Sequence, residues 1–319
     1  MISGVILAAG LSSRMGNYKP LLPIGDTLFI TKLVDQMKSA GASRVIVVTG
    51  YRHLELESVL ADQNVYTVFN SRYYCTQMID SVKLGIRAVR ESDEQYGTRT
   101  EQIILSPVDV VLSPRSVFDT VRKGNADFVR PVFQGRAGHP VGIREPLFDR
   151  ILAYEGEGGL RCAVESSGCP IEEIEVDEPG ILMDADTKDD YRRLVHAYDV
   201  SSGNTGLLHP DIEINISMDR VIFGEQFMQL LELINDTGSL QKTAGALKMS
   251  YTKIWQMIKK TEENTSEKLI ERCSGGGNGG YSRLTEKGNE MLSRWKSMKN
   301  ELDQVSQSVF NKYFEDFRL

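Results

Sequence analysis

Short β-branched apolar runs alternate with longer stretches of helical periodicity from Ile2 to about Val200, and the alternation stops once, at SSGNTGLLHP over 201–210. Repeated strand–helix alternation marks βαβ units, whose strands lie parallel in one sheet with helices on its faces. A cluster of small, turn-forming residues has the composition of a linker. The chain therefore divides into a Rossmann-like α/β domain over 1–200 with a mostly parallel sheet, a linker over 201–215, and a mainly helical domain over 216–319. A length of 319 residues suits two cores better than one.

In the first domain strands are predicted over Gly4–Ala8, Arg44–Thr49, Val65–Phe69, Gln102–Leu105 and Asp127–Pro131. Phe29, Leu33, Val34 and Met37 recur at helical spacing, as do Met78, Val82, Ile86 and Val89. Ser113-Pro114 is expected to open a further helix that Gly124 closes. Beyond the linker, helices are predicted over Gly224–Asn235, Leu240–Leu247 and Tyr251–Thr261. A glycine-rich CSGGGNGGYSRLT segment and a long final helix from Glu286 follow.

Composition narrows the class. At 41% hydrophobic and 25% charged residues, the chain is unlike collagenous, disordered or membrane sequences. No apolar run reaches the roughly 18 residues of a bilayer span, and MISGVILAAG lacks the basic start and the length of a secretion signal, so a cytoplasmic chain without membrane contact is expected. Cys75, Cys162, Cys169 and Cys273 contain no CxxC pair, which signals neither a disulfide framework nor a zinc site. The net charge of −7 is unevenly spread: Lys+Arg count 22 against 28 Asp+Glu up to residue 200, and 15 against 16 after it. Within 237–288 nine basic residues face five acidic ones, a basic island in an acidic chain.

The first strand runs into LAAGLSSRMGNYKPLL, in which Leu7, Ala8, Ala9 and Gly10 close the strand and Arg14, Gly16 and Lys19 follow. A small-residue loop at the carboxyl end of the first strand of an α/β sheet lets backbone N–H groups approach phosphate oxygens, and two cations at fixed offsets neutralise a polyphosphate. The loop predicts a nucleotide, although it is neither GxxxxGK[ST] nor GxGxxG. A tight strand exit without a ligand is the plainer alternative.

LAAGLSSRMGNYKPLL resembles the signature of MobA-like nucleotidyltransferases, LAxGxSxRMGxxKxLL. GYR at 50–52, NSRYYCTQMIDSVKLGI at 70–86, SPVD at 106–109, AGHPVGI at 137–143 and DADTKDDY at 184–191 resemble segments of the molybdenum cofactor cytidylyltransferase branch, in the same order. The resemblance implies that CMP passes from CTP to molybdopterin carrying molybdenum, giving the cytosine dinucleotide cofactor of molybdenum hydroxylases and pyrophosphate. Such a reaction needs placement, charge neutralisation and a divalent metal, magnesium or manganese, with little covalent work for the protein. Arg14 and Lys19 are assigned to the triphosphate, with Leu7 to Gly10 beside base and phosphates. The resemblance makes Asp109 a metal ligand.

Asp184 and Asp186 are two apart, so both carboxylates can share one side of an extended segment. Asp186 is favoured as the second ligand, and its alternative is a helix cap, since an acid follows three residues on. Ser81 matches a base-contacting position and could equally be a cap; Asn70 carries similar weight. The resemblance puts His139 near the acceptor substrate, the alternative being a structural turn before Pro140. Ala9 goes with the CTP-using branch, whose LAAG replaces the LAGG of the guanylyl-transferring branch. Two departures stand out: Val110-Val111 and Lys188 occupy positions where the family has proline, which removes backbone rigidity rather than a ligand.

DTGSLQKTAGALKMSYTKIWQMIKK reads as two helices joined by a short turn: Leu240, Ala244 and Leu247 at helical spacing, Ser250 as a cap, then Ile254, Trp255 and Ile258 facing inward. Such a second helix enters a major groove, with Ser250, Tyr251, Thr252, Lys253 and Gln256 toward DNA and Arg283 on a wing against phosphates. A small protein-binding module is the alternative. TGSLQKTA, SYTKIW and ERCSGGGNGGYSRLTEKG resemble the winged helix of the molybdate-dependent regulator ModE and its LysR-like relatives over about 225–295. Such regulators carry a molybdate-sensing domain, and none is expected in this sequence. Met291, Trp295, Met298, Leu302, Val305 and Val309 recur at spacings of three and four, which fits a homodimer seam or intramolecular packing. Three functions stay open: a cytidylyltransferase with a DNA-binding tail, a transcription regulator whose transferase-like domain is a sensor, and a guanylyltransferase or other nucleotidyltransferase.

Overall fold

The structure, a computed structural model, describes residues 1–319 apart from 13, 14, 16, 204–211, 219, 220, 274–280 and 315–319. Arg14, most of the expected linker and the glycines of the expected wing lie outside the described residues. Two compact units separate, Met1–Ser201 and Ser202–Leu319. No helix among the described residues is long and apolar enough to cross a membrane.

In chain order the first unit runs β1 (Ile2–Ala8), a hairpin of β2 (Pro23–Ile24) and β3 (Thr27–Leu28), α1 (Phe29–Ser39), β4 (Arg44–Thr49), α2 (His53–Leu60), β5 (Tyr66–Phe69), α3 (Met78–Tyr96), β6 (Gln102–Pro107) and α4 (Arg115–Lys123). It continues with β7 (Phe128–Phe133), β8 (Arg136–Ala137), β9 (Val141–Arg144), α5 (Phe148–Ala153), α6 (Gly159–Ser167), β10 (Ile171–Glu175) and α7 (Lys188–Ser201). The sheet order is β10-β7-β9-β6-β1-β4-β5, with β8 paired to β7. β1 lies parallel to β4 and β6, β5 parallel to β4, and β10 parallel to β7. β9 is inserted antiparallel between β6 and β7. The sheet is thus mostly parallel.

Strands β4 and β6 are buried along their whole length and β1 from Ser3 onward. Both faces are covered by helices, which is why these strands read as near-continuous apolar runs rather than alternations. α1 buries Ile30, Leu33, Val34 and Met37 along one stripe, and α3 buries Val82, Ile86 and Val89. The five expected strands are present, β1 longer by Ile2 and Ser3 and β7 shifted to Phe128–Phe133. Ser113 does not cap α4: Pro114 holds the N-cap position, and the buried Ser113 Oγ donates to the His139 carbonyl at 2.7 Å.

The second unit runs β11 (Asn215–Ser217), β12 (Val221–Gly224), α8 (Glu225–Thr237), α9 (Leu240–Ala246), α10 (Tyr251–Thr265), β13 (Ile270–Cys273), β14 (Tyr281–Leu284) and α11 (Glu286–Phe314). β11–β12 and β13–β14 are antiparallel pairs. Phe227, Leu230, Leu231 and Ile234 of α8, Leu240 and Ala244 of α9, and Ile254 and Ile258 of α10 are buried. The turn between α9 and α10 passes through Lys248 at φ 53. The buried Glu262 accepts from the Leu269 and Ile270 N–H groups at 2.9 and 3.2 Å, fixing where β13 leaves α10. Trp255, expected to face inward, does not: it is 36% exposed, because Ile254 and Ile258 already fill the buried stripe.

Candidate active site and nucleic-acid interface

The carboxyl ends of parallel strands form the edge where α/β sheets bind ligands. β1 delivers Leu7, Ala8 and Ala9, all buried, and the exposed Gly10 to that edge. The chain exits of β1 and β4 nearly touch, since a Cβ on Gly50 would stand 2.5 Å from the Ala9 carbonyl oxygen, so only glycine fits there. Ser12 turns the loop at φ 53, and its Oγ accepts the Lys19 N–H at 3.1 Å. Lys19 begins a single 3-10 turn, Lys19–Leu21.

From that root the Lys19 ammonium reaches two carboxylates, Asp109 Oδ2 and Asp186 Oδ1, each at 2.7 Å. Asp109 follows β6, whose end is tied to β1 by the Val108 N–H on the Leu7 carbonyl at 3.0 Å. Asp186 precedes α7. Three distant segments meet because their neighbours share one apolar cluster: Met15, Leu22 and Ile24 from the loop side, Val111 beyond Asp109, and Ala185 beside Asp186, closed by Phe29 and Leu194. Val111 stands where the family has proline, and it is fully buried in that cluster, so packing supplies the rigidity that a ring would otherwise give.

Burial pulls the Lys19 ammonium down, but the Asp109 and Asp186 carboxylates outweigh it and leave the lysine above its ordinary range, hence charged. Asp184, at the surface, is held above the usual carboxylate range by desolvation and by the Asp186 and Asp109 charges. The helix-cap alternative for Asp186 is answered by its neighbours. Thr187 and Asp190 form the capping pair of α7, with the Thr187 N–H donating to Asp190 Oδ2 at 2.9 Å and the Asp190 N–H to Thr187 Oγ1 at 3.1 Å. Two partly buried carboxylates are a hard-oxygen donor set, and a magnesium ion ordinarily takes one or two of these plus waters and substrate phosphates. The ammonium between them shows that the pair accommodates a cation.

His139 is half-buried, its N–H donating to the Ile181 carbonyl at 3.1 Å and its Nδ1 buried without a hydrogen-bond partner among the described residues. Burial pushes its pKa down to about 4, with the Asp109 charge opposing, so the imidazole is neutral at pH 7 and within electrostatic reach of the Asp109 carboxylate.

Asn70 and Ser81 are brought together, both buried: Asn70 Nδ2 donates to Ser81 Oγ at 3.2 Å and to Thr76 Oγ1 at 3.0 Å, while its Oδ1 accepts the Arg72 N–H at 3.1 Å. Ser81 is not a cap, since Gln77 holds the N-cap of α3. Ser12 and Thr187 were missed as positioning residues; Thr187 was legible as a T-x-x-D box one residue beyond Asp186.

In the second unit Ser250 spends its hydroxyl capping α10, accepting the Lys253 N–H at 3.2 Å. Tyr251, Thr252, Lys253 and Gln256 are exposed on the following turns, and Trp255 shares that face. Arg283, on β14, pairs with Glu271 across the hairpin at 2.8 Å. α9, the turn and α10 thus form a helix-turn-helix whose second helix presents polar, cationic and aromatic side chains from its first turns.

The profile of the MobA-like NTP transferase domain matches residues 4–171, and that of the bacterial regulatory helix-turn-helix protein, lysR family, matches 226–289. The molybdenum cofactor cytidylyltransferase of Escherichia coli (strain K12) is 30% identical over 195 residues, 60% of this chain and 93% of that protein. The molybdenum transport protein ModE of Herbaspirillum seropedicae is 30% identical over 95 residues, 30% of this chain and 34% of that protein, so the chain spans about a third of ModE. A solved Mycobacterium tuberculosis H37Rv protein is similar with TM-score 0.52 and 26% identity over 61% of this chain and 96% of its own. A nucleotidyl transferase from Methanothermobacter thermautotroptrophicus has TM-score 0.54 at 22% identity over 63% and 99%, a likeness of fold alone.

Proposed function

The chain belongs to the MobA-like NTP transferase family, carrying a LysR-type helix-turn-helix beyond it, and from that premise we propose that it transfers CMP from CTP to the phosphate of molybdopterin carrying molybdenum, with release of pyrophosphate. The observation that carries the reading is the Lys19 ammonium held between Asp109 and Asp186 at the carboxyl edge of β1 and β6. Attack by an acceptor phosphate on the α-phosphorus asks the protein for placement and charge neutralisation. Lys19, with Arg14, would meet the triphosphate. Asp109 and Asp186 would hold a magnesium or manganese ion, which when bound neutralises phosphate charge and orients the α-phosphorus. The neutral His139 would face the acceptor without drawing a proton, since the attacking phosphate has none to give up at pH 7. Asn70 and Ser81 would border the base, and Ala9 would leave room for a pyrimidine.

The second unit would bind duplex DNA through Tyr251, Thr252, Lys253 and Gln256 in the major groove and Arg283 on phosphate, with Ser250 holding the helix start. Both similarities point to molybdenum, the transferase relative by its cofactor and ModE by its transport role. A homodimer would use the outer half of α11, where Leu302, Val305 and Val309 are exposed, whereas Trp295 is buried within the unit.

The test is anaerobic incubation of the full chain with magnesium, molybdenum-loaded molybdopterin and either CTP or GTP, measuring pyrophosphate and dinucleotide product. Product from CTP alone, lost in Asp109→Ala, is expected. Product from GTP alone would replace the cytidylyl reading with a guanylyl one. Folded protein that makes no product from either nucleotide, yet binds DNA tightly, would be a regulator with a nucleotide-sensing domain.

A further inference from the structure

The pair of carboxylates assigned to the metal already has a cation between them. Lys19 Nζ stands 2.7 Å from Asp109 Oδ2 and 2.7 Å from Asp186 Oδ1. A magnesium ion lies about 2.1 Å from its oxygen ligands, so an ion held by those two oxygens would fall against the ammonium. The side chains of Lys19, Asp109 and Asp186 keep only 12%, 17% and 33% of their exposure. Little water is left to screen the repulsion of two cations so close together. The ammonium and the metal therefore exclude each other.

The lysine is built to move without disturbing the loop. Its N–H is fixed on Ser12 Oγ, and the flanking Tyr18, Pro20 and Leu22 are buried. The four-carbon stem beyond carries the rotatable bonds by which the ammonium can change partners, and an ammonium, unlike a guanidinium fork, has no preferred plane to lose. What it needs is another anion, because a desolvated ammonium without a partner is costly. A triphosphate offers several negative oxygens in exchange for two carboxylates.

We propose that Lys19 is the resident counter-cation of the Asp109–Asp186 pair, and that a divalent metal gains these carboxylates only as a nucleoside triphosphate draws the ammonium away, so that metal and nucleotide load together. The proposal rests on the transferase reading for the triphosphate, while the exclusion of metal by lysine stands on geometry. By linkage, the factor by which nucleotide tightens metal binding equals the factor by which metal tightens nucleotide binding, and release of Lys19 is one contribution to both.

The measurement is binding of Mn2+ to the full chain without nucleotide, read from loss of the electron paramagnetic resonance signal of the free aqua ion. Lys19→Gln is expected to bind Mn2+ at least about tenfold more tightly than wild type, by removing one close like charge. Lys123→Gln, which removes an exposed lysine at the end of α4, should leave the affinity within about twofold, separating exclusion from a change in net charge. The double variant K19Q/D109N should lose the gain. In wild type, an α,β-methylene CTP analogue should tighten Mn2+ binding, and by a larger factor than in Lys19→Gln. Lys19→Met repeats the test should the glutamine variant not fold, and the wild-type comparison with and without analogue needs no variant.

A Lys19→Gln affinity no tighter than wild type, or wild-type binding equally tight with and without the analogue, overturns the proposal. If wild type turns over CTP while Lys19→Gln shows no gain, the exclusion falls and the transferase reading survives. If Lys19→Gln gains affinity but wild type turns over no nucleotide, the exclusion stands and the transferase reading falls.

Discussion

Lys19 holds Asp186, 167 residues further along the chain, at 2.7 Å, and Asp184, two residues before it, stands at the surface. The geometry thus separates two acids that the sequence places side by side. Asp186→Asn should lower kcat/KM for nucleotidyl transfer by about 10²- to 10³-fold, the scale for losing one charge-stabilising group at a reacting phosphate. Asp184→Asn should cost less than about tenfold. Steady-state kinetics on both variants would check the order, and an Asp184 loss exceeding that of Asp186 would reverse the ligand assignment.

Thr187 lies beside Asp186 but serves the helix. Replacing it with alanine removes the acceptor for the Asp190 N–H and a donor to the Asp190 carboxylate. Thr187→Ala should lower stability by about 1 kcal/mol, as for loss of an N-cap, with turnover changed by less than about threefold. Urea unfolding and initial rates on one preparation would show whether helix capping and turnover are separable.

His139 carries a pH signature. Its folded pKa, about 4, lies below the ordinary 6.5, so the folded chain refuses a proton that the unfolded chain accepts. The unfolded state gains protons as pH falls, and the stability contribution is complete above pH 6.5, shrinks between 6.5 and 4, and is constant below. At full size it is about 3 kcal/mol. Unfolding free energies of wild type and His139→Asn should therefore diverge in slope within that window and run parallel above it. Parallel slopes throughout would mean that the imidazole is hydrated.

Much of this was readable from residue order. Runs such as RVIVVT are buried on both faces and announce parallel strands, and the spacing of Leu240, Ala244, Ile254 and Ile258 announces the helix-turn-helix. β9 was not legible, because its place between β6 and β7 is decided by pairing across the sheet. β10, with glutamates at 172, 173 and 175, is an edge strand stabilised by its one neighbour, β7, and has no apolar run to betray it. Lys19 was assigned to the triphosphate and Asp109 and Asp186 to the metal, but that the lysine sits between the two carboxylates was not legible, because its cause is tertiary: Met15, Val111 and Ala185 pack together from three remote segments. Trp255 was misjudged since periodicity gives two adjacent apolar residues, Ile254 and Trp255, equal claim to the core, and only packing chooses between them.

That choice makes Trp255 a reporter and a contact. It is 36% exposed beside Gln256 on the outward face of α10, while Trp295, the other tryptophan, is 5% exposed. If α10 enters a major groove, the indole is desolvated against base edges or sugar, where an apolar ring also meets a thymine methyl. Titration with a pool of random-sequence duplexes at low salt should quench the fluorescence of Trp255 and spare that of Trp295. Trp255→Ala should abolish the quench and weaken binding to any sequence enriched from the pool by about 1–3 kcal/mol. Lys253→Ala, if its ammonium lies on a phosphate, should weaken all sequences alike and reduce the salt slope by about one. A quench that survives in Trp255→Ala, or a salt slope unchanged in Lys253→Ala, would take α10 out of the groove and leave the second unit as a protein-binding module.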